Sequence, residues 1–311
     1  METFAWLKKR KIAVLYGGPS PEAAVSRRTG KAVLNGFKNL GLRAVGIEAG
    51  ADLAKRIKDS GAGFCFIAMH GKPGEDGTVQ GLLDVMGIPY AGSGVLSSAM
   101  SMDKAATKIV FQHHKIPTAP FQILEPVGAS LGSGLSAGAI KLRPPYVVKP
   151  VDGGSAIGVS VVRNASGAAA ALRAARRVSR RVLAEKFIDG IEVTVPVLGD
   201  QVLPVIEIVP KGKFYDYKSK YVKGMSSHVI PARITAQADR ACRRFALEAH
   251  RALGCRGFSR TDFIIDKKNQ PWALELNSIP GMTETSLFPE SAKAAGYSFE
   301  SMLLEMVRSS L

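Results

Sequence analysis

Near the C-terminal end of the chain stand one cation, two carboxylates and one amide, spaced so that a strand hairpin would gather them. Between residues 258 and 287 the sequence reads F-S-R-T-D-F-I-I-D, a short polar turn, then P-W-A-L-E-L-N-S-I-P-G-M-T-E-T-S-L. Two apolar runs, 256–265 and 271–276, flank Lys267-Lys268-Asn269-Gln270, a pattern that predicts a hairpin. Side chains along a strand alternate between faces. Arg260 and Asp262 therefore share a face with Phe263 and Ile265 behind them, and Glu275 and Asn277 share one with Leu274 and Leu276 behind. Carboxylate and amide oxygens are the ligands of a hard cation such as Mg²⁺. A neighbouring guanidinium supplies hydrogen bonds to a phosphate or a developing oxyanion. Taken alone, the pattern also fits a solvated polar face on a surface hairpin. The Pro280-Gly281 turn that follows Asn277 favours the first reading, because it sets backbone N–H groups beside the carboxylates.

These groups need a scaffold, and the sequence predicts one of α/β units. Residues 11–16 (K-I-A-V-L-Y) form a short buried strand, Gly17-Gly18-Pro19-Ser20-Pro21-Glu22 a turn, and 23–39 a helix stopped by Gly41. Strand, glycine turn and helix open a doubly wound parallel sheet. The turn is not G-x-G-x-x-G, so it does not specify a dinucleotide, but its N–H groups and the helix start suit an anion. Further units are predicted at 43–47 with 51–59 and at 64–69 with 78–86, the latter joined by the polar loop 70–77. Glu22 and His70 both follow strand C-terminal ends, the edge where ligands of open α/β sheets bind, although a lone His or Glu there is more often structural. Gly92-Ser93-Gly94 marks a boundary. Helices are predicted over 95–101 and 103–113, a strand over Phe121–Leu124, and a Gly/Ala/Ser-rich loop with one short helix over 128–144.

Tyr146–Pro150 is predicted as a strand, 153–158 as a glycine loop and 159–162 as a strand. Such a loop folds over a triphosphate and donates N–H groups, although hairpin glycines also serve as plain turns. Lys149, just before it, is placed to reach phosphate oxygens. A helix over 166–180 leads to a strand over 181–187. Its Glu185-Lys186 end offers an acceptor and a donor to an adenine edge and ribose, with Glu192 a second acceptor, while an ordinary ion pair on an edge strand fits the same residues. Strands over 191–198 and 201–209 follow. Residues 211–225 are polar, aromatic and basic, the composition of a lid that closes to exclude water. A helix over 236–253 buries Cys242, Phe245, Ala249 and Leu253 and stops at Gly254, and a last amphipathic helix spans 298–309.

Taken in order, these motifs resemble those of the ATP-grasp enzymes, and specifically of the D-alanine–D-alanine ligase family. R-x-D, E-x-N, P-G-M-T and the following Ser286-Leu287 resemble the family's C-terminal core. G-G-x-S-x-E-x-x-V-S and H-G-x-x-G-E-D-G resemble its N-terminal domain. The resemblance spans nearly the whole chain. It implies a three-domain α/β ATP-grasp fold: 1–102 with a Rossmann-like parallel sheet, 103–187 with the glycine loop, and 188–311 with the lid and metal site. By resemblance, Lys104, Lys149, Glu185, Lys186, Ile188, Glu192 and Lys220 would contact ATP, and Asp262, Glu275 and Asn277 would hold two Mg²⁺ or Mn²⁺ ions. Glu22, Ser155, Tyr221, Arg260 and Gly281 would organise the chemistry, while His70, Ser286 and Leu287 would hold the two D-alanines. The implied reaction turns one carboxylate into an acyl phosphate, which the amine of the second D-alanine displaces. The dipeptide would serve peptidoglycan precursor synthesis in the cytoplasm, and the family forms homodimers. The lid motif Y-D-Y-x-x-K-Y is complete, ending in Lys220-Tyr221. Ala156 departs from the pattern, since a second serine usually follows Ser155. A related ATP-grasp ligase with D-lactate or D-serine as acceptor is the alternative.

Composition sets the outer bounds. The 311 residues are 46% hydrophobic and 22% charged, a soluble globular composition with room for two or three domains. No run approaches the roughly 18 apolar residues of a membrane span, and M-E-T-F-A-W-L-K-K-R-K lacks the pattern of a signal peptide. Cys65, Cys242 and Cys255 are scattered, which argues against a disulfide framework or a zinc site. The net charge of +16 gathers in 8–11, in the helix with Arg173, Arg176, Arg177, Arg180 and Arg181, and in the one with Arg240, Arg243, Arg244 and Arg251. Such charge suits nucleic-acid or membrane-surface binding, and it equally fits solvated helix faces or a general attraction for anionic substrates. No nucleic-acid-binding motif accompanies it, so neither partner is expected. A non-enzymatic basic binding protein remains the third hypothesis.

Overall fold

Short aliphatic runs become the strands of three sheets in the computed structural model, which describes residues 2–125, 137–211, 225–283 and 285–311. The first sheet is parallel, in the order β2-β1-β3-β4, built from β1 (Ile12–Gly17), β2 (Ala44–Ala49), β3 (Phe64–Ile67) and β4 (Tyr90–Ala91). Parallel neighbours need crossovers, and α2 (Ala23–Asn39), α3 (Leu53–Ser60) and α4 (Thr78–Val85) supply them. β3 is buried along its whole length, which is why F-C-F-I carries no polar alternation. α2 begins and ends where the sequence predicts. α1 (Glu2–Lys8) was not expected; it caps the sheet with Leu7 in the core and Trp6 edge-on to Phe64.

α5 (Val95–Met102) and α6 (Lys104–His113) lead into the second sheet, with Asp103 capping α6 through the Ala106 N–H at 2.8 Å. This sheet is antiparallel, in the order β5-β8-β6-β7, from β5 (Phe121–Leu124), β6 (Tyr146–Pro150), β7 (Ser160–Val162) and β8 (Val182–Lys186). α7 (Ala168–Arg176) covers it. α7 stops short of the predicted 180; Ser179 turns inward, and its Oγ accepts the Arg181 N–H at 3.3 Å. The helical turn found within 128–144 is Ala137–Ala139; residues 128–136 of that loop lie outside the described residues.

The third sheet runs β12-β11-β9-β13-β14, from β9 (Gly190–Leu198), β11 (Ile206–Pro210), β12 (Ser226–Val229), β13 (Phe258–Asp266) and β14 (Pro271–Asn277), with β10 (Gln201–Val202) paired to the end of β9. One strand was predicted over 201–209. It is two because Pro204 has no N–H to give the ladder, and the Leu203 N–H reaches the Pro196 carbonyl at 2.9 Å instead. α8 (Ala236–Ala252) backs the sheet with the apolar stripe read from the sequence. α9 (Leu287–Ala294) was not predicted; Pro289 lies in its first turn, where a missing N–H costs nothing. α10 (Phe299–Arg308) ends the chain's ordered elements by returning to the first sheet. Its Met302, Leu303, Met306 and Val307 share one core with Phe37, Phe64, Phe66 and Phe258. The lid expected over 211–225 falls on residues 212–224, outside the described residues, and Lys220 and Tyr221 with it.

Candidate active site

The hairpin of β13 and β14 sets Arg260 opposite Asn277 and Asp262 opposite Glu275. The Arg260 guanidinium donates to both Asp262 oxygens, at 3.0 and 3.1 Å. Asn277 Nδ2 donates to Asp262 Oδ2 at 3.2 Å, and Thr194 Oγ1 from β9 donates to Oδ1 at 2.5 Å. The four residues singled out in the sequence are therefore one cluster. Beyond Asp262 the register shifts, so that Phe263 pairs with Ala273. A bulge of this kind re-aims side chains. It corrects one expectation: Leu274 does not lie behind the hairpin but lines a pocket beside Glu275, while Phe263 and Leu276 stay in the core.

Asp262, Glu275 and Asn277 present oxygens on one side. Lys104 Nζ sits 3.3 Å from Glu275 and donates to the Gly153 carbonyl at 2.5 Å. Among the described residues no group of three or more His, Cys, Asp or Glu is arranged for a metal. A site of two carboxylates and an amide still fits Mg²⁺, which takes one or two carboxylates and fills its shell with water and substrate phosphate.

On one side of this cluster lies a cavity of about 1110 Å³ lined by Glu22, His70, Glu75, Arg260, Gly281 and Ser286, with Leu287 also on its wall. Glu22, at the start of α2, accepts a very short hydrogen bond from the Ser155 hydroxyl, which ties the glycine loop to the first sheet. His70 Nε2 pairs with Thr29 Oγ1 of α2 at 3.0 Å. Burial pulls the His70 pKa below its ordinary value, against the opposing pull of Glu22, so the ring is neutral near pH 7. Glu75 was not singled out, although the H-G-x-x-G-E-D-G motif contains it. It accepts from the Gly71 N–H at 2.7 Å. Burial and then the Glu22 carboxylate push its pKa up to about 8. On the opposite wall, Ser286 Oγ accepts from the Thr283 N–H at 2.9 Å. A Cβ at Gly281 would come within 2.9 Å of that Oγ, so only glycine leaves this wall undisturbed.

On the other side lies a slot of about 130 Å³ between the second and third sheets, lined by Lys149, Lys186, Ile188, Glu192, Ile264 and Leu274. Glu185 closes its floor. Its carboxylate lies 2.6 Å from Lys149 Nζ and 2.7 Å from Lys108 Nζ. Burial alone would raise the Glu185 pKa, but the two ammonium groups outweigh it and hold the group down at about 2. Sequence reasoning missed Lys108, since a lysine four residues after Lys104 on an amphipathic helix gives no sign of being enclosed. Above the slot, Ser155 and Ala156 have φ of 52° and 57°. Two successive non-glycine residues in the left-handed region cost roughly 1–2 kcal/mol each. Besides the bond to Glu22, Lys72 holds Asp152 of the same loop at 2.5 Å.

Lys104, Gly153, Gly154, Ser155, Asp262 and Glu275 line both cavities. A wide chamber and a narrow, lysine-lined slot thus meet at two carboxylates, an arrangement suited to moving an anionic group from a ligand in the slot to one in the chamber.

Known proteins share this arrangement of sequence. Residues 110–308 match the family model of the D-ala D-ala ligase C-terminus, and residues 48–93 that of the D-ala D-ala ligase N-terminus. The chain is 46% identical over 303 residues to a D-alanine–D-alanine ligase of Pelotomaculum thermopropionicum, covering 96% of this chain and 95% of the relative. It is 45% identical over 304 residues to one of Citrifermentans bemidjiense, covering 97% and 96%. In three dimensions it is similar to the crystal structure of D-alanine–D-alanine ligase from Bacillus anthracis complexed with ATP, at a TM-score of 0.83 and 31% identity over 97% of each chain.

Proposed function

The chain belongs to the D-alanine–D-alanine ligase family, and from that premise we propose that its slot takes ATP and its chamber two molecules of D-alanine. The activity is ATP-dependent ligation to D-alanyl-D-alanine. A carboxylate oxygen of the first D-alanine attacks the γ-phosphorus, giving an acyl phosphate and ADP. The amine of the second then attacks the acyl carbon, a proton leaves the nitrogen, and phosphate departs. The observation that carries this reading is the wall common to both cavities, which brings a phosphoryl donor and a carboxylate acceptor to the same side chains.

Within this reading the residues divide by reach. Lys104 and Lys149 face the phosphates, with the N–H groups of the glycine loop, while Lys186, Ile188 and Glu192 surround the base and ribose. Asp262, Glu275 and Asn277 would hold Mg²⁺, which when bound neutralises charge on the transferring phosphoryl group. Arg260 and the Gly281 N–H stabilise the oxyanion of the tetrahedral intermediate. Glu22, held by Ser155, anchors the ammonium of the first D-alanine. Ser286, with Leu287 beside it, binds the carboxylate of the second, and His70 lines the chamber between them. Lys220 and Tyr221 are assigned to the lid by resemblance. The units 1–102, 103–187 and 188–311 each centre on one sheet. Ala156 removes one hydroxyl from the phosphate loop and tunes ATP affinity.

The product serves peptidoglycan precursor synthesis. Three free cysteines support a cytoplasmic setting, and no described helix is long and apolar enough to cross a membrane. A homodimer would cover Val85 and Leu96, which stand 90% and 72% exposed on α4 and α5. The test is phosphate release with ATP, Mg²⁺ and D-alanine, with products weighed by mass spectrometry in the presence of D-lactate and D-serine. D-alanine-dependent release and a dipeptide mass are expected. Release that ignores D-alanine, or a product dominated by another acceptor, overturns the reading.

A further inference from the structure

Lys108 has no role in the reaction described above, yet its side chain is 0% exposed. An ammonium taken fully out of water costs several kcal/mol unless it is paired and hydrogen-bonded. Here the pairing is close and rigid, although burial still pulls the Lys108 pKa below its ordinary value against the pull of Glu185. Lys108 Nζ lies 2.7 Å from Glu185 Oε2 and donates to Thr118 Oγ1 at 2.5 Å, and Thr118 Oγ1 donates in turn to the Ala273 carbonyl of β14 at 2.7 Å. The Phe121 ring closes over the ammonium at 5.5 Å. α6, β8 and β14 thus hold Lys108 from three directions, and it has nowhere else to go.

Lys149 sits on the other oxygen of the same carboxylate, 2.6 Å from Oε1, but its surroundings differ. It lies on the slot wall beside the glycine loop. One carboxylate therefore faces two ammonium groups, one locked in place and one bordering open space. The single negative charge balances only one of them.

We propose that Lys108 is a positioning residue for nucleotide binding: it is the permanent counter-ion of Glu185, and so leaves Lys149 free to exchange that carboxylate for a phosphate oxygen when a nucleoside triphosphate enters. The proposal rests on reading the slot as the nucleotide site. Without Lys108, Lys149 is the one ammonium left on Glu185 among the described residues. Drawing it toward phosphate would then strand a buried carboxylate, so the cost falls on the triphosphate and not on the base. Arg260 and Asp262, 3.0 Å apart on the other side of the wall, take no part in this exchange.

The test compares ATP with adenosine, in full-length protein with Mg²⁺, by displacement of a fluorescent nucleotide. The readout is the ratio of the adenosine Kd to the ATP Kd, in which any change in base recognition cancels. In Lys108→Met the ratio should fall roughly tenfold or more, the scale of stranding a buried charge. In Lys108→Met with Glu185→Gln it should return to within about threefold of wild type, since no carboxylate is left to hold Lys149. Glu185→Gln alone should leave the ratio at or above that of wild type. An unchanged ratio in Lys108→Met, or a fall that Glu185→Gln does not relieve, overturns the proposal. If Lys108→Met does not fold, a lower ratio in Glu185→Gln alone is enough to overturn it. A wild type that binds adenosine as well as ATP instead removes the nucleotide reading of the slot.

Discussion

At the scale of single residues, two carboxylates that a sequence reader would treat alike have different surroundings. Asp262 is committed to Arg260, Thr194 and Asn277, whereas Glu275 faces Lys104 across 3.3 Å on the wall common to both cavities. Glu275→Gln keeps the shape and removes the charge a divalent cation requires. Ligation should drop by about a thousandfold or more, and raising Mg²⁺ should not restore it. Near-normal turnover at ordinary Mg²⁺ would refute the metal assignment. Glu75 makes a different prediction. Its pKa is raised to about 8 by burial and by Glu22, against the Gly71 N–H and the charges of Arg260 and Lys104, with neutral His70 nearby. A raised carboxyl takes up a proton on folding, so its favourable contribution is lost as pH climbs from the unfolded value near 4.5 to the folded value near 8. Glu75→Gln does not titrate. Its melting temperature relative to wild type should rise across that window and level off above about pH 8. Scanning fluorimetry of the nucleotide-free protein tests this, and a constant difference across the window would count against it.

At the scale of elements, α2 positions the chamber because glycine lets it lie against β1. A Cβ at Gly30 would fall 2.4 Å from Tyr16 Cβ and 2.5 Å from the ring, with no flexible tip to move aside. Thr29, next to it, holds His70, and Glu22 begins the same helix. Gly30→Ala should therefore cost roughly 1–3 kcal/mol by overpacking and raise the KM for D-alanine. Gly81→Ala in α4, where the nearest atom is Val95 Cγ2 at 3.7 Å, should instead gain up to about 1 kcal/mol and leave that KM unchanged. Thermal melts and D-alanine titrations of the two variants decide it; a Gly30→Ala protein as stable as wild type would sink the packing argument. These elements also mark what a sequence shows. α2, α8 and the β13–β14 hairpin were legible because their period and their stop signals are local. The bulge that turns Leu274 into the slot was not, since it arises from pairing between strands. α1 and α9 escaped because their apolar faces make sense only against a core assembled from distant segments. Lys108 escaped for the same reason: its partner Glu185 is 77 positions away, and only the fold encloses both.

At the scale of the whole molecule, the unexplained feature is charge. The chain carries +16, and many of its acidic side chains are already matched in surface pairs such as Arg27–Glu48, Arg243–Asp239 and Arg308–Glu305. Such pairs add little stability, and they leave the excess of cations unbalanced. A field of one sign acts on ligands according to their net charge. ATP is an anion, even with Mg²⁺ bound, whereas D-alanine near neutral pH is a zwitterion with no net charge. The basic surface should therefore speed nucleotide encounter and leave the amino acid indifferent, with no nucleic-acid partner required. Screening separates the two, because the Debye length shrinks from about 30 Å at 0.01 M salt to about 10 Å at 0.1 M. The association rate of a fluorescent ATP analogue, followed by stopped flow, should fall roughly tenfold between 10 and 300 mM ionic strength. Over the same range the KM for D-alanine should stay within about twofold. Ionic strength is best raised with choline chloride at fixed potassium, so that any specific monovalent-ion effect is constant. A nucleotide association rate that does not change with salt would show that the excess charge does not steer substrate, and would return the basic helices to the status of a surface in search of another anionic partner.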